Sequence, residues 1–182
     1  MNTQNFNTEN TLCLVVDIQE RLLPVMHEGG LCVEKTVLLL QGLKALGVPL
    51  AVCEQYPKGL GHTVEAVKAE LDGVNIVEKT VFSAFRPEIE TILREKNIRN
   101  VVLAGIETHV CMLQTAQDLR SAGFEVAVPF ECTTSRDPLN KANALEQMRG
   151  LGVTVSNVES LLFMLLGDAG HPSFKTVSKL IQ

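Results

Sequence analysis

The sequence has no surplus of positive charge: 16 Lys and Arg stand against 21 Asp and Glu, a formal net charge of −5. Basic residues are not gathered into local clusters either, so the electrostatic grip on a phosphate backbone that nucleic-acid binding requires is missing. Long apolar runs are absent as well. The longest pure one, residues 161–166, falls far short of the roughly 20 residues needed to cross a bilayer. The polar start, Met1 to Asn10, carries no basic stretch followed by an apolar one and does not read as a secretory signal. These absences predict a soluble, cytoplasmic protein with neither nucleic-acid nor membrane partners.

The five cysteines (Cys13, Cys32, Cys53, Cys111, Cys132) are an odd number with no CxxC spacing, which argues against a disulfide framework or a zinc knuckle. Cys13 and Cys53 sit in strand-like apolar runs, where a thiol behaves as a small core hydrophobe. Phosphate-binding loops are missing too. The stretch from Gly59 to Val64 has valine where the third glycine of GxGxxG belongs, and no GxxxxGK occurs. No Pro/Ser-rich linker, charge block or low-complexity tract divides the chain. Hydrophobic residues make up 46 % and charged residues 20 %, an ordinary globular composition.

What is present is an alternation of short β-branched runs with longer helical patterns. Strands are expected at residues 12–17, 49–54, 74–77, 100–105, 125–129 and 153–156. Several are apolar almost throughout (LCLVV, VVLAG), as parallel strands covered on both faces should be. Helices are expected over 33–46 before Gly47, from Pro87 through Leu93, over 110–122 before Gly123, and over 138–149 before Gly150. The fold class that follows is α/β: a three-layer α/β/α sandwich around a mostly parallel, six-stranded, doubly wound, Rossmann-like sheet. One domain spans 1–182, with its core at about 10–166 and a terminal helix or arm at 167–182. The apolar segments 161–166 and 174–181 offer more apolar surface than a small domain obviously covers, which predicts a homo-oligomer.

In such sheets ligands bind outside the carboxyl ends of the strands, and three chemically capable residues fall there. Cys111 lies just after an apolar strand, in the expected first turn of a helix. The helix dipole and free N–H groups at that position favour thiolate, lowering the thiol pKa; a buried, inert cysteine is the competing reading. Asp17 closes the first strand as a base, a metal ligand or a helix cap. Lys79 follows the third strand, either as a solvated charge or as a cation supporting the other two.

The blocks VVDIQ, EKTVFSAF and GIETHVC, with EQYPKGLGHT, TTSRD and NVESLLFMLL between and after them, resemble the isochorismatase-like hydrolases over about residues 10–166. The wording is most similar to the branch of isochorismatase domain-containing proteins. The resemblance implies a Cys–Asp–Lys triad in which Cys111 is the nucleophile, Asp17 takes its proton and Lys79 supports the pair. It also implies a cis peptide at Ile106–Glu107 and an oxyanion hole built from the N–H groups of Glu107 and Cys111. Leu23, Phe82 and Phe85, from segments beside Asp17 and Lys79, are the expected pocket residues, with core packing as the alternative for the two phenylalanines.

The related nicotinamidases hold a metal after the second strand; here that stretch offers only Glu54 and His62, too few ligands for a site. Neither a metal nor another cofactor is therefore expected. Isochorismate hydrolysis itself does not need the cysteine, so Cys111 points to acyl transfer on a small amide-type or related carbonyl substrate. Two other readings remain at this level: a binding or assembly protein on the same fold, and a thiol redox sensor that pairs Cys111 with Cys132.

Overall fold

The computed structural model describes residues 6–182. In chain order the strands are β1 (Thr11–Val16), β2 (Leu50–Gln55), β3 (Ile76–Lys79), β4 (Asn100–Ile106), β5 (Glu125–Pro129), β6 (Thr133–Thr134) and β7 (Thr154–Ser156). The helices are α1 (Gly29–Ala45), α2 (Pro57–Leu60), α3 (Glu65–Lys68), α4 (Pro87–Glu95), α5 (Leu113–Ser121), α6 (Pro138–Gly150), α7 (Val158–Leu166) and α8 (Phe174–Leu180).

All strand pairs in the sheet are parallel, in the order β3-β2-β1-β4-β5-β7, with β6 on β4. The sheet has seven strands rather than six. The additional one, β6, is two threonines long and continues the ladder on β4 past the point where β5 leaves it, pairing Gly105 with Thr133 and Ile106 with Thr134. A polar dipeptide carries no periodicity, which is why it is invisible in the sequence.

The continuous apolar strands divide by alternation. Cys13, Val15, Val52, Val102 and Ala104 pack with Leu39, Leu40 and Leu43 of α1 and with α7 and α8. Leu12, Leu14, Val16, Cys53, Val101 and Leu103 face Ile89 and Leu93 of α4, Ala116 and Leu119 of α5 and Leu145 and Met148 of α6. Both faces are thus covered, and period-2 alternation buries apolar side chains on each side.

The apolar C-terminal segments turn inward. Leu161, Leu162, Leu165 and Leu166 of α7 and Val177 of α8 are buried, and Ser173 Oγ donates to the Ala45 carbonyl at 2.7 Å. Most of the surface expected to drive oligomerisation from these segments is consumed within the subunit. Phe163 of α7 stays exposed, but a larger group of exposed apolar side chains, Tyr56, Ile76, Val81 and Phe82, lies on and beside the edge strand β3.

The chain builds outward from β1 through β2 to β3, then resumes on the other side of β1 with β4. At this switch in direction the two strand ends nearly touch. Gly105 adopts φ +154°, and a Cβ there would lie 2.1 Å from the Val16 carbonyl oxygen. No side chain fits, so glycine is required where β1 and β4 release their next residues, Asp17 and the segment leading to Cys111.

Candidate active site

Asp17 leaves β1 with φ 57°, a left-handed conformation that Asp tolerates better than bulkier residues. It is fully buried. Lys79, the last residue of β3, reaches across the end of β2, and its Nζ donates to Asp17 Oδ2 at 2.7 Å. Neither side chain has any solvent exposure. Nζ also donates to Gln55 Oε1 at 2.7 Å and to the Phe82 carbonyl at 2.9 Å, with the Val81 carbonyl at 3.4 Å. An ammonium has three protons, and these acceptors occupy them all.

Cys111 lies in a π-helical turn, Thr108–Met112, that precedes α5. The Met112 N–H donates five residues back to the Glu107 carbonyl at 3.2 Å. This wide turn replaces the ordinary first turn expected from the sequence; such insertions recur at functional sites. The Ile106–Glu107 peptide before it is cis. Thr115 Oγ1 donates to the Cys111 carbonyl at 2.6 Å and accepts from the Ala84 N–H at 2.8 Å, tying the turn to the segment after β3.

The structure brings Asp17, Lys79 and Cys111 together, and their charges act on one another. Burial raises the Asp17 carboxyl above its usual range, against the opposing pull of the Lys79 ammonium. Asp17 Oδ1 is buried without a hydrogen-bond partner among the described residues. The Cys111 thiol is pushed up to about 12, first by burial and then by the Asp17 charge, with Lys79 pulling the other way. This reverses the expectation of an acidic thiol: desolvation outweighs the helix terminus. Cys111 is not distinguished by a low pKa. It is distinguished by side-chain contact with both Asp17 and Lys79.

Glu107 is expected at the site for its backbone N–H alone; its side chain turns to Arg136, accepting from its N–H at 3.0 Å and its Nε at 3.2 Å. The other expected residues separate. Leu23 lies in a short 3-10 turn, Leu23–Val25, and packs toward the α1 face of the core. Phe85 sets its ring against Phe124, with centroids 5.9 Å apart at 67°. Phe82 exposes its ring and uses its carbonyl on Lys79. A cavity of about 450 Å³ adjoins Lys79, lined by Tyr56, Lys58, Thr80, Val81 and Arg86 among others. Its lining includes none of Leu23, Phe82 and Phe85, and neither Asp17 nor Cys111.

Glu54 is almost wholly buried at the end of β2. Its Oε1 accepts from the Thr63 N–H at 2.7 Å and the Thr63 hydroxyl at 2.8 Å, and Oε2 lies 3.0 Å from His62 Nδ1. Burial acts to raise this carboxyl, but the Thr63 and His62 contacts prevail and hold it below the usual range. Both oxygens are committed to closing the loop after β2. Among the described residues no group of three or more His, Cys, Asp or Glu could hold a metal ion.

Residues that escaped the sequence reading are Gln19 and Gln55, which join the Lys79 network. A fully buried glutamine such as Gln19 is uncommon, but nothing in its neighbours reveals that burial. Cys132 falls on the opposite face of the sheet from Cys111, which separates the two thiols of the redox reading.

Comparison with known proteins fixes the class. The isochorismatase domain model matches residues 11–160, and the chain belongs to that family, which includes cysteine hydrolases. Isochorismatase domain-containing protein 1 of Salmo salar is 42 % identical over 98 % of this chain. The secreted isochorismatase effector Isc1 of Phytophthora sojae is 36 % identical over 95 % of this chain and 85 % of its own length. The chain spans 63 % of the length of the Salmo salar protein. The solved MAR1 ribonuclease of Caenorhabditis elegans superposes with a TM-score of 0.93 at 37 % identity, over 97 % of this chain and 91 % of that one.

Proposed function

We propose that this protein is a cysteine hydrolase acting on a small amide-type or related carbonyl substrate, with Cys111 as nucleophile, Asp17 as general base and Lys79 as fixed cation. The observation that carries the reading is the buried Lys79–Asp17 pair, 2.7 Å apart, whose second carboxylate oxygen is left without another partner among the described residues and which interacts with the Cys111 thiol.

The chemistry follows from these positions. Asp17 takes the thiol proton as Sγ attacks the carbonyl carbon, so thiolate forms only as the new bond forms. A raised carboxyl pKa brings the base closer to working pH and strengthens it for this transfer. The tetrahedral oxyanion is received by the N–H groups of Glu107 and Cys111. Collapse breaks the carbon–nitrogen bond, and Asp17 returns the proton to the departing amine. Water, deprotonated by Asp17, then attacks the thioester and releases the acid, restoring the thiol. Lys79, with its protons occupied, shuttles none of them; it holds the carboxylate and balances its charge.

No metal or other cofactor takes part in this scheme. We further propose a single domain over 1–182, a cytoplasmic location consistent with five free thiols, and a homo-oligomer covering the apolar surface beside β3. No helix among the described residues is long and apolar enough to cross a membrane. A light-scattering mass held at 19.9 kDa across concentrations refutes the oligomer.

The test is a hydrolysis panel of amides, esters, carbamates and a single-stranded RNA, run beside Cys111→Ala. Turnover of a carbonyl substrate that Cys111→Ala abolishes supports the proposal. RNA cleavage that survives in Cys111→Ala overturns it in favour of the activity named for the Caenorhabditis elegans protein, and no turnover of any substrate favours a binding role.

A further inference from the structure

We infer that Gln19 is a positioning residue for the site, acting on Lys79 through Gln55; the inference rests on the roles just proposed for Asp17, Lys79 and Cys111. The evidence lies in how β2 is completed at its carboxyl end. Along β1 the ladder on β2 runs in register as far as Val16 and Cys53, followed by the Asp17 N–H donating to the Cys53 carbonyl at 3.1 Å. There β1 ends, because Asp17 turns into the left-handed region. The backbone of Gln55, two residues further along β2, has lost its neighbouring strand.

The side chain of Gln19 replaces that strand. Its Oε1 accepts from the Gln55 N–H at 2.7 Å, and its Nε2 donates to the Gln55 carbonyl at 3.0 Å. One primary amide thus presents an acceptor and a donor to one residue, as a paired strand would, and meets both backbone groups of Gln55 in the interior. A second Nε2 proton reaches the Gly61 carbonyl at 2.6 Å. On its other side Gln55 lies in register with Lys79 of β3, and the Tyr56 N–H donates to the Lys79 carbonyl at 2.8 Å.

With its backbone held on both sides, Gln55 directs its own amide at the site. Oε1 accepts from Lys79 Nζ at 2.7 Å, while Nε2 donates to the Thr80 carbonyl at 2.8 Å. The circuit closes locally, since the Gln19 N–H donates to the Asp17 carbonyl at 2.8 Å. Asp17, Gln19, Gln55 and Lys79 form a ring in which each member fixes the next. Gln55 is the only side chain besides Asp17 that accepts from Lys79 among the described residues. Without the Gln19 clamp, Gln55 loses its fixed direction and Lys79 loses an acceptor that holds its charge beside Cys111.

Gln19 also helps to close the loop after β2, as does Arg21, whose Nη1 donates to the Gly59 carbonyl at 2.9 Å. The two roles separate in the rate at which iodoacetamide labels Cys111 in folded protein between pH 7 and 9. Loss of positioning weakens the cation that lowers the thiol, so less thiolate forms and labelling slows about tenfold at each pH. Mere loosening of the loop exposes the thiol and speeds labelling.

Gln19→Met and Gln55→Met should each slow labelling about tenfold, and the double variant should be no slower than Gln55→Met alone, because the effect passes through Gln55. Arg21→Ala, which loosens the same loop, should not slow it. Labelling of Gln19→Met at or above the wild-type rate, or a double variant slowed about a hundredfold, overturns the inference. Should Gln19→Met fail to fold, an unchanged rate in Gln55→Met overturns it alone. Failure of the underlying reading looks different: wild-type Cys111 would then label no faster than the other cysteines.

Discussion

Lys79 Nζ donates to Asp17 Oδ2 at 2.7 Å with both side chains wholly removed from solvent, so each charge depends on the other to remain in the interior. Removing only the cation leaves a buried carboxylate without its counter-charge. Lys79→Met should destabilise the fold by about 3–5 kcal/mol. Adding Asp17→Asn should recover much of that loss. Urea midpoints of the two single variants and the double variant measure this; additive losses would contradict the pairing.

Asp17 itself should cost stability at neutral pH. Its folded-state pKa lies above the unfolded value because of burial. Its favourable contribution is therefore full below the ordinary carboxylate range and is lost as pH rises through the folded pKa. Asp17→Asn should gain in relative stability as pH is raised from about 4 towards 7, while losing turnover. Denaturation at several pH values checks the sign; an advantage that shrinks with rising pH contradicts it.

Glu54 has the opposite sign. Its carboxyl is held below the usual range, so its contribution is present above the unfolded pKa and lost as pH falls through the folded one. Glu54→Ala leaves the Thr63 N–H and hydroxyl without their acceptor, at a cost of about 1–3 kcal/mol. The difference from wild type should narrow on acidification. Equal unfolding midpoints at pH 7 would show that the loop does not need this clamp.

Packing between α1 and α7 is equally specific. A Cβ on Gly42 would meet Leu162 Cδ1 at 2.6 Å. Gly42→Ala gains helix propensity but overpacks this crossing, and a net loss of about 1–3 kcal/mol is expected. Gly42→Ala with Leu162→Ala should relieve the clash, as thermal unfolding of both variants would show.

The strands at the centre of the sheet were legible because LCLVV and VVLAG are apolar on consecutive residues, the mark of burial on both faces. Glu125–Pro129 forms β5 as expected, whereas β3 runs Ile76–Lys79, two residues later than its sequence suggests. Edge position explains the shift: with one face open, exposed Ile76 and Glu78 alternate with half-buried Val77 and buried Lys79. Helix α1 begins at Gly29 rather than residue 33, and no side chain caps it, so nothing in the sequence marks its start. The convergence of Asp17, Lys79 and Cys111 is legible because strand ends fix where they emerge. Side-chain orientation is not legible: whether Phe82 offers its ring or its carbonyl depends on a turn after β3, and Gln19 gains its place only from the premature end of β1. A helix terminus is visible in sequence and desolvation is not, so the expected and observed directions of the Cys111 thiol shift differ.

The central claim is that Cys111 forms an acyl-enzyme. Intact-protein mass spectrometry after rapid acid quenching, with a panel of small amides and activated esters, tests it most directly. The account predicts an acyl adduct that peptide mapping places on Cys111, accumulating in wild type and absent from Cys111→Ala. Hydrolysis at the wild-type rate by Cys111→Ala, or an adduct that maps to another cysteine, would contradict it.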